Sequence, residues 1–284
     1  SKIFGNNEPS IHTVDGIDIT VNKGETLGLV GESGSGKSTI LKAIAGLISP
    51  VGGKIQLNEY GYLEPRVDQR SKSTLRQIQL VFQNPDDSLN PRHTVANILE
   101  QPLRLYFGLS GRNLVQKSVS LLEKVRLSSS YLDRLPSQLS GGEKQRVAIA
   151  RAFAAEPQLV LCDEVTSALD VSVQAAVLDL LEGLKSERGI TYIFVSHDLA
   201  VVRAISDRVA VLYQGRLCEI GTTQSVYEAP FHPYTDVLLG AVLEPDPDIA
   251  PSLSADDIVE LSPPALGCPF QRRCPRKIGK ICEN

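Results

Sequence analysis

Apolar and polar residues alternate along the chain in blocks that favour strands separated by helices. Short, continuous apolar runs are typical of strands buried on both faces, and they occur at 26–30, 78–82, 158–162, 190–195 and 208–213. Stretches with helical spacing, among them 37–46 and 171–187, lie between several of these runs. The pattern therefore predicts an α/β protein with a mainly parallel sheet covered by helices on both faces.

Weaker patterns predict antiparallel edge strands beside this sheet. Apolar residues at Val14, Ile17, Ile19 and Val21 indicate one edge strand, and the turn at 214–215 leads into another at 216–220. A short strand is expected at 54–57, whereas the polar residues 58–73 are interpreted as a loop.

The pattern changes at residues 94–127, where apolar residues follow helical spacing without strands. Pro102 is expected to interrupt the first of these helices or to limit its length. Since strand-rich sequence lies on either side, the pattern predicts an inserted helical subdomain at about residues 84–157. The expected organisation is one α/β domain at 1–243, followed at 244–284 by a proline-rich, acidic linker and a small appendage with cysteines.

Composition narrows the class of protein. The chain has 284 residues, a net charge of −4 and 42% hydrophobic residues. A mildly acidic chain is a poor candidate for nucleic-acid binding, and no apolar run approaches the roughly 20 residues that span a bilayer. We therefore expect a soluble or peripheral protein without a secretory leader.

A glycine-rich phosphate loop, residues 31–38, follows the first apolar run with the spacing G-x-x-x-x-G-K-S. Small residues let successive backbone N–H groups surround an anion, and the following helix adds the positive end of its dipole. Lys37 would contact the β and γ phosphates, and the Ser38 hydroxyl would bind Mg²⁺. The alternative is a solvated loop, but strand, loop and helix occur in the order that a nucleotide site requires.

Polar side chains follow three other apolar runs. Asp163 and Glu164 end the run at 158–162; Asp163 is a candidate Mg²⁺ ligand and Glu164 a candidate general base. Gln83 could bind Mg²⁺ or water, and His197 could reach a γ-phosphate. Each of these also has an ordinary structural interpretation, and the phosphate loop upstream is what favours the functional one.

The LSGGE turn, residues 139–143, begins another helix and is a second candidate phosphate site. Simple helix capping by Ser140 is the alternative. Two anion-binding helix starts so far apart in sequence suggest a nucleotide held between two chains.

Taken together, GESGSGKST, Gln83, LSGGEKQR, LVLCDE, SALD and VSHD resemble the ATP-binding subunits of ABC transporters over essentially the whole chain. The resemblance implies the ABC ATPase fold of the P-loop NTPases, ATP hydrolysis with Mg²⁺, and a second ATP-binding domain. Two transmembrane permease subunits, an extracytoplasmic substrate-binding protein and a peripheral location on the cytoplasmic face of the inner membrane are also implied.

The resemblance assigns roles to particular residues. Lys37, Glu164 and His197 would be catalytic, Ser38, Gln83 and Asp163 would bind Mg²⁺, and Asp170 would communicate across the dimer. The nucleotide would contact Phe4, Gly31, Ser33, Gly34, Ser35, Gly36, Lys37, Ser38, Thr39, Gln83, Asp163, Glu164 and His197 of one chain. The partner chain would contribute Ser140, Gly141, Gly142 and Glu143. For Phe4, expected to stack on adenine, an apolar residue near a chain end is the alternative.

The chain departs from the family pattern at two positions. Glu143 replaces the usual glutamine, so its carboxylate should point away from phosphates or be neutralised by Lys144 or Arg146. Val165 stands where a proline commonly follows the glutamate. Neither change removes a catalytic atom, so hydrolysis is still expected.

Peripheral motifs resemble the oligopeptide, dipeptide and nickel importer branch: SLNPRHTV (88–95), HPYTDVLL (232–239) and CPFQRRCP (268–275). The resemblance implies a peptide cargo, with nickel or another small solute as the alternative. A soluble ABC ATPase of translation or DNA repair is the alternative from another class.

The appendage contains Cys268, Cys274 and Cys282. Relatives in the peptide branch can bind an iron–sulfur cluster here, and a [4Fe–4S] cluster normally takes four cysteine ligands. In these relatives a fourth cysteine follows further along the chain, so a fourth ligand is expected beyond residue 284. The chain contains no methionine and is expected to be a fragment of a longer or tandem polypeptide, with a trimmed initiator before Ser1 as the alternative. Zinc and unligated thiols are the alternatives.

Overall fold

The computed structural model describes residues 13–167, 169–229, 231–240 and 266–283. The predicted adenine contact of Phe4 lies outside these ranges. No helix in the described ranges is both long and apolar enough to cross a membrane.

A six-stranded sheet forms the centre of the fold, in the order β4 (Ile78–Val81), β5 (Leu159–Asp163), β6 (Thr191–Val195), β1 (Thr26–Val30), β7 (Arg208–Tyr213) and β8 (Arg216–Thr222). Neighbouring strands are parallel from β4 to β7, and β8 pairs with β7 in the antiparallel direction. These results confirm the predicted mainly parallel sheet with an antiparallel edge.

A separate two-stranded hairpin pairs β2 (Gln56–Leu57) with β3 (Gly61–Tyr62). The expected strand at 54–57 is therefore shorter, and the loop expected at 58–73 is wrong in part. That stretch contains β3 and the first residues of a helix, which Ser71 caps by accepting a hydrogen bond from the Thr74 N–H. The helices are α1 (Lys37–Ile44), α2 (Lys72–Gln77), α3 (Val95–Phe107), α4 (Gly111–Lys124), α5 (Gly141–Phe153), α6 (Val171–Arg188), α7 (Leu199–Ile205), α8 (Thr223–Tyr227) and α9 (Pro233–Gly240).

The two faces of the sheet belong to two apolar clusters, because successive strand side chains point in opposite directions. Cys162 and Phe194 lie in the cluster that includes residues of α3 to α7, whereas Leu161 and Ile193 lie in the cluster that includes Leu41 of α1. Burial on both faces explains why these strands appear in the sequence as continuous apolar runs.

The predicted edge strand at residues 14–21 is wrong, because these residues form no strand. Ile17, Ile19 and Val21 are partly buried against the cluster beside α1, so the apolar pattern reflects packing rather than strand pairing. The Arg208 guanidinium donates to the Thr20 carbonyl at 3.0 Å, a side-chain contact in place of a ladder bond.

The expectation for Pro102 is also wrong, since α3 continues through it to Phe107. Proline removes one backbone hydrogen bond and crowds the preceding turn, at a cost of about 3 kcal/mol. Ile98, Leu99 and Leu103 are buried where α3 packs on α4 and α5. This packing outweighs the local penalty.

The C-terminal segment, residues 266–283, packs against the end of β7 and against α9. Phe270 is fully buried, with its ring centroid 5.3 Å from that of Tyr213 in β7 and 5.4 Å from that of Tyr234 in α9. This aromatic cluster of Tyr213, Tyr234 and Phe270 attaches the segment to the fold.

Candidate active site

The phosphate loop connects β1 to α1, as the sequence predicts. Gly31 has a φ of 148° and Gly36 a φ of 98°, both in the region that favours glycine. A Cβ atom on Gly31 would lie 2.1 Å from the Leu212 carbonyl oxygen, and one on Gly36 would lie 2.8 Å from that of Thr13. Glycine at these two positions therefore lets the loop pass close to neighbouring backbone.

Lys37 begins α1 and is buried beneath the loop. Its ammonium donates hydrogen bonds to the carbonyls of Gly31 at 2.7 Å and Glu32 at 2.9 Å. Burial lowers the pKa of Lys37, and the carboxylates of Glu164, Asp163 and Glu32 oppose that shift. The cation is thus held inside the loop, at the position where the sequence predicts contact with phosphates.

Ser38 and Asp163 meet although 125 residues separate them. The Ser38 hydroxyl donates to Asp163 Oδ1 at 2.7 Å, and Asp163, at the end of β5, is buried. Asp163 is separated from β1 by the intervening strand β6. The two oxygen donors predicted for Mg²⁺ therefore lie side by side, with Thr39 next in the first turn of α1.

Glu164 follows Asp163, and its carboxylate contacts side chains that follow two other strands, β4 and β6. Its Oε2 accepts a hydrogen bond from Gln83 Nε2 at 2.9 Å and lies 3.4 Å from His197 Nδ1. Its N–H donates to the Val195 carbonyl at 3.0 Å, with a backbone φ of 48°. The structure thus brings Gln83, Glu164 and His197 together at one edge of the sheet.

The LSGGE turn lies at the start of α5. The Ser140 hydroxyl accepts from the Glu143 N–H at 3.3 Å, while the Glu143 carboxylate accepts from the Ser140 N–H at 2.7 Å. This reciprocal arrangement is a capping box. A Cβ atom on Gly142 would lie 2.7 Å from Val173 Cγ1, so the turn packs closely on α6. Gly141 is exposed at the first position of the helix.

The expected neutralisation of Glu143 by Lys144 or Arg146 is not what the structure shows. Lys144 instead contacts Asp86 at 2.8 Å. The Tyr131 hydroxyl donates to Glu143 Oε1 at 2.5 Å, and this hydrogen bond is the main reason that the pKa of Glu143 is lowered. The carboxylate is therefore turned back into its own chain by a tyrosine that no local spacing identifies.

Asp170 and Val165 complete the residues that the sequence singles out. Asp170 caps α6 by accepting from the Val173 N–H at 3.0 Å and from the Ser172 hydroxyl at 2.7 Å, and it is exposed. Val165 is 2% exposed in the core. The valine thus fills an apolar position directly after Glu164.

The three C-terminal cysteines are not assembled into a metal site. Among residues 266–283 and the rest of the described chain, no three His, Cys, Asp or Glu side chains are grouped to hold a metal. Cys268 Sγ lies 3.8 Å from His232 Nε2, Cys282 Sγ accepts from the Ile278 N–H at 3.3 Å, and Cys274 packs against the core. These separate contacts do not support the iron–sulfur or zinc interpretation.

Sequence reasoning missed the residues that contact Glu32 of the phosphate loop. Its N–H donates to the Tyr234 hydroxyl at 2.8 Å, and Arg273 Nη1 lies 3.3 Å from its carboxylate. Tyr234 and Arg273 belong to motifs that are noted above for resemblance alone, so only the folded structure reveals this contact.

Comparisons with known proteins agree with this geometry. A family described as ABC transporter matches residues 14–167, and one described as oligopeptide/dipeptide transporter, C-terminal region, matches residues 218–282. The "Oligopeptide transport ATP-binding protein OppF" of Salmonella typhimurium is 44% identical, over 94% of this chain and 81% of the relative. The "Dipeptide transport ATP-binding protein DppF" of Haemophilus influenzae is 43% identical, over 96% and 84%.

Solved structures give the same answer for the fold. The ATP-binding cassette MJ0796, described as a dimer in a post-hydrolysis state bound to ADP and Pi, is 31% identical with a TM-score of 0.68. The match covers 78% of this chain and 94% of that protein. The phosphate loop, the polar residues at the strand ends and these matches together show that the chain belongs to the family of ABC transporter ATP-binding proteins.

Proposed function

We propose that this chain is the ATP-hydrolysing subunit of an ABC importer for oligopeptides or dipeptides. The observation that carries this proposal is the meeting of Ser38, Asp163, Glu164, Gln83 and His197 beside the phosphate loop. The peptide cargo is supported by relatives named for oligopeptide and dipeptide transport and by the matched C-terminal region.

The donor set beside α1 fits Mg²⁺, which prefers oxygen ligands. Ser38 and Asp163 offer a hydroxyl and a carboxylate in direct contact, and Gln83 lies at the neighbouring strand end. When bound, Mg²⁺ would neutralise charge on the phosphates. The hydrogen bond from the Ser38 hydroxyl to Asp163 holds these two oxygens side by side.

Hydrolysis requires a water aligned with the γ-phosphorus. Glu164 is the general base in this proposal, with its carboxylate oriented by Gln83 and His197. Lys37 would hold the β and γ phosphates, and His197, which is 63% exposed, has room to turn to the γ-phosphate. The backbone N–H groups of residues 33–39 would surround the remaining phosphate oxygens.

Closure of the site requires a second ATPase domain. Ser140, Gly141, Gly142 and Glu143 of that domain would contact the nucleotide, and Asp170 would communicate across the interface. The dimeric MJ0796 structure with ADP and Pi supports pairing of two such domains. The full assembly would add two permease subunits and an extracytoplasmic substrate-binding protein, with this chain peripheral on the cytoplasmic face of the inner membrane.

Uptake by a reconstituted assembly tests the function and the cargo together. With ATP, vesicles containing the permeases, both ATPase domains and the binding protein should accumulate labelled oligopeptide or dipeptide. Glu164→Gln in this chain should lower ATP hydrolysis at its own site by about 10²-fold or more, the scale of general-base catalysis. Peptide uptake should fall with it.

The matched control is Glu187→Gln, because Glu187 is half-exposed and pairs with Lys124 on the surface. This variant should transport normally. Uptake of nickel instead of peptide would contradict the cargo, and unchanged hydrolysis in Glu164→Gln would contradict the general base.

A further inference from the structure

Glu32 of the phosphate loop is held from two directions by residues that follow the sheet in sequence. Its backbone N–H donates to the Tyr234 hydroxyl at 2.8 Å. Its carboxylate oxygens lie 3.3 and 3.5 Å from Arg273 Nη1. One residue of the loop is thus joined to α9 and to the C-terminal segment.

These two contacts are built on a rigid base. Tyr234 and Phe270 are fully buried and Tyr213 is 4% exposed. Arg273 Nη1 also donates to the Tyr213 hydroxyl at 3.3 Å, and its guanidinium carbon lies 5.5 Å from the centre of the Phe270 ring. Aromatic packing with a charge-assisted hydrogen bond fixes the arginine side chain, so little conformational entropy is lost when it meets Glu32.

Glu32 lies directly beside the cation of the phosphate loop. The Lys37 ammonium donates a hydrogen bond to the Glu32 carbonyl at 2.9 Å, so the charged side chain of Glu32 belongs to the loop that would hold the phosphates. An unpaired carboxylate in this loop would repel a triphosphate, whereas Arg273 offsets the charge. Arg273 is 18% exposed on its side chain and Glu32 is 44% exposed, so solvent screens the pair only in part.

We infer that Arg273 and Tyr234 are positioning residues of the ATP site, through which the C-terminal segment sets the affinity of the phosphate loop for nucleotide. Tyr234 fixes the backbone of Glu32, and Arg273 neutralises its side chain. The inference rests on the proposed ATP-binding function and gives the C-terminal segment a role at the nucleotide.

The first test is Arg273→Ala in the full chain, with fluorescent ATP analogue binding and ATPase activity both measured. Loss of one ion pair near the phosphates should raise the Kd and the KM for ATP about 3- to 10-fold, the scale of a partly screened charge interaction. The kcat at saturating ATP should stay within about twofold. Arg273→Lys should keep part of the affinity.

Rescue separates electrostatics from simple packing. In the double variant Glu32→Gln with Arg273→Ala, the repelling carboxylate is gone, so affinity should recover most of the loss. The deficit of Arg273→Ala alone should also shrink as ionic strength rises, because screening weakens the repulsion. Tyr234→Phe, which removes the acceptor of the Glu32 N–H, should weaken binding without any such salt dependence.

Arg276→Ala is the matched control. Arg276 lies in the same segment and pairs with Asp236 of α9 at 2.9 Å, and within the described ranges it makes no hydrogen bond or ion pair to residues 31–38. Equal losses of affinity in both arginine variants, or no rescue by Glu32→Gln, would overturn the inference. Wild-type affinity in Arg273→Ala would also overturn it, provided that the wild-type chain hydrolyses ATP together with the second ATPase domain. If the wild-type pair hydrolyses no ATP, the proposed function is contradicted instead.

Discussion

Lys37 is a buried cation whose described hydrogen bonds run to the loop immediately before it. Two of its acceptors are backbone carbonyls, so the side chain supports the loop in addition to the phosphate contact proposed for it. Burial lowers the pKa of Lys37. Negative charge on a nearby phosphate would act in the opposite direction and stabilise the protonated ammonium.

Lys37→Ala should abolish measurable ATP turnover and weaken nucleotide binding by at least about 10-fold, since a charge-assisted contact to phosphate is lost. Equilibrium binding of a fluorescent ATP analogue and phosphate release would measure both effects. Lys72→Ala, at the exposed start of α2, is the control and should behave as wild type. Wild-type affinity in Lys37→Ala would contradict its phosphate role.

The sequence predicts Lys37, Ser38, Asp163 and Glu164 because each lies in a short motif whose spacing is local. Their meeting then follows from the rule that parallel strands end at one edge of a sheet. Contacts between residues in unrelated elements carry no such spacing. Arg273 lies 241 residues from Glu32, and it becomes a candidate only when α9 and the C-terminal segment are seen beside the loop.

At the scale of elements, the sequence predicts the buried strands correctly, but its predictions for residues 14–21 and for part of residues 58–73 are wrong. A strand that is buried on both faces has a continuous apolar run in its sequence. Residues 14–21 have a similar apolar pattern but do not pair with a strand. Their apolar side chains pack on the cluster beside α1, and such packing favours the same residue types as a strand does. Propensity alone likewise fails at α3, where tertiary packing overrides Pro102.

Pro102→Ala should therefore stabilise the protein. Alanine restores an N–H that can donate to the Ile98 carbonyl, while the gain is reduced because proline also restricts the unfolded chain. The expected net increase in the free energy of unfolding is about 1 kcal/mol, measured by urea denaturation. Pro157→Ala, outside the helix that precedes it, should not stabilise the protein in this way. An unchanged or lower midpoint for Pro102→Ala would show that α3 depends on the proline ring.

At the scale of the whole molecule, the proposed cycle joins the phosphate loop of one domain to the LSGGE turn of a second domain, in which Ser140 and Gly141 are exposed. Glu164→Gln should retain ATP and hold the closed pair, because closure precedes hydrolysis in the proposed cycle. Analytical ultracentrifugation should then show an ATP-dependent increase in mass, either alone or with the second ATPase chain of the assembly.

The wild-type chain with ADP is the reference for that measurement and should remain unpaired. Ser140→Arg in the Glu164→Gln chain should prevent pairing, since a bulky cation would occupy the interface. Full hydrolysis by an isolated monomer would contradict the two-domain site altogether.

The backbone at Glu164, described above with a φ of 48°, has a consequence for how this enzyme can be engineered. Glycine adopts such a conformation freely, whereas other residues are held there against a strain of about 1 kcal/mol or more. Selection for thermal stability alone would therefore favour glycine at residue 164, and the resulting protein would be more stable but would lack the proposed general base. At this residue, a gain in thermal stability is expected to cost ATP hydrolysis.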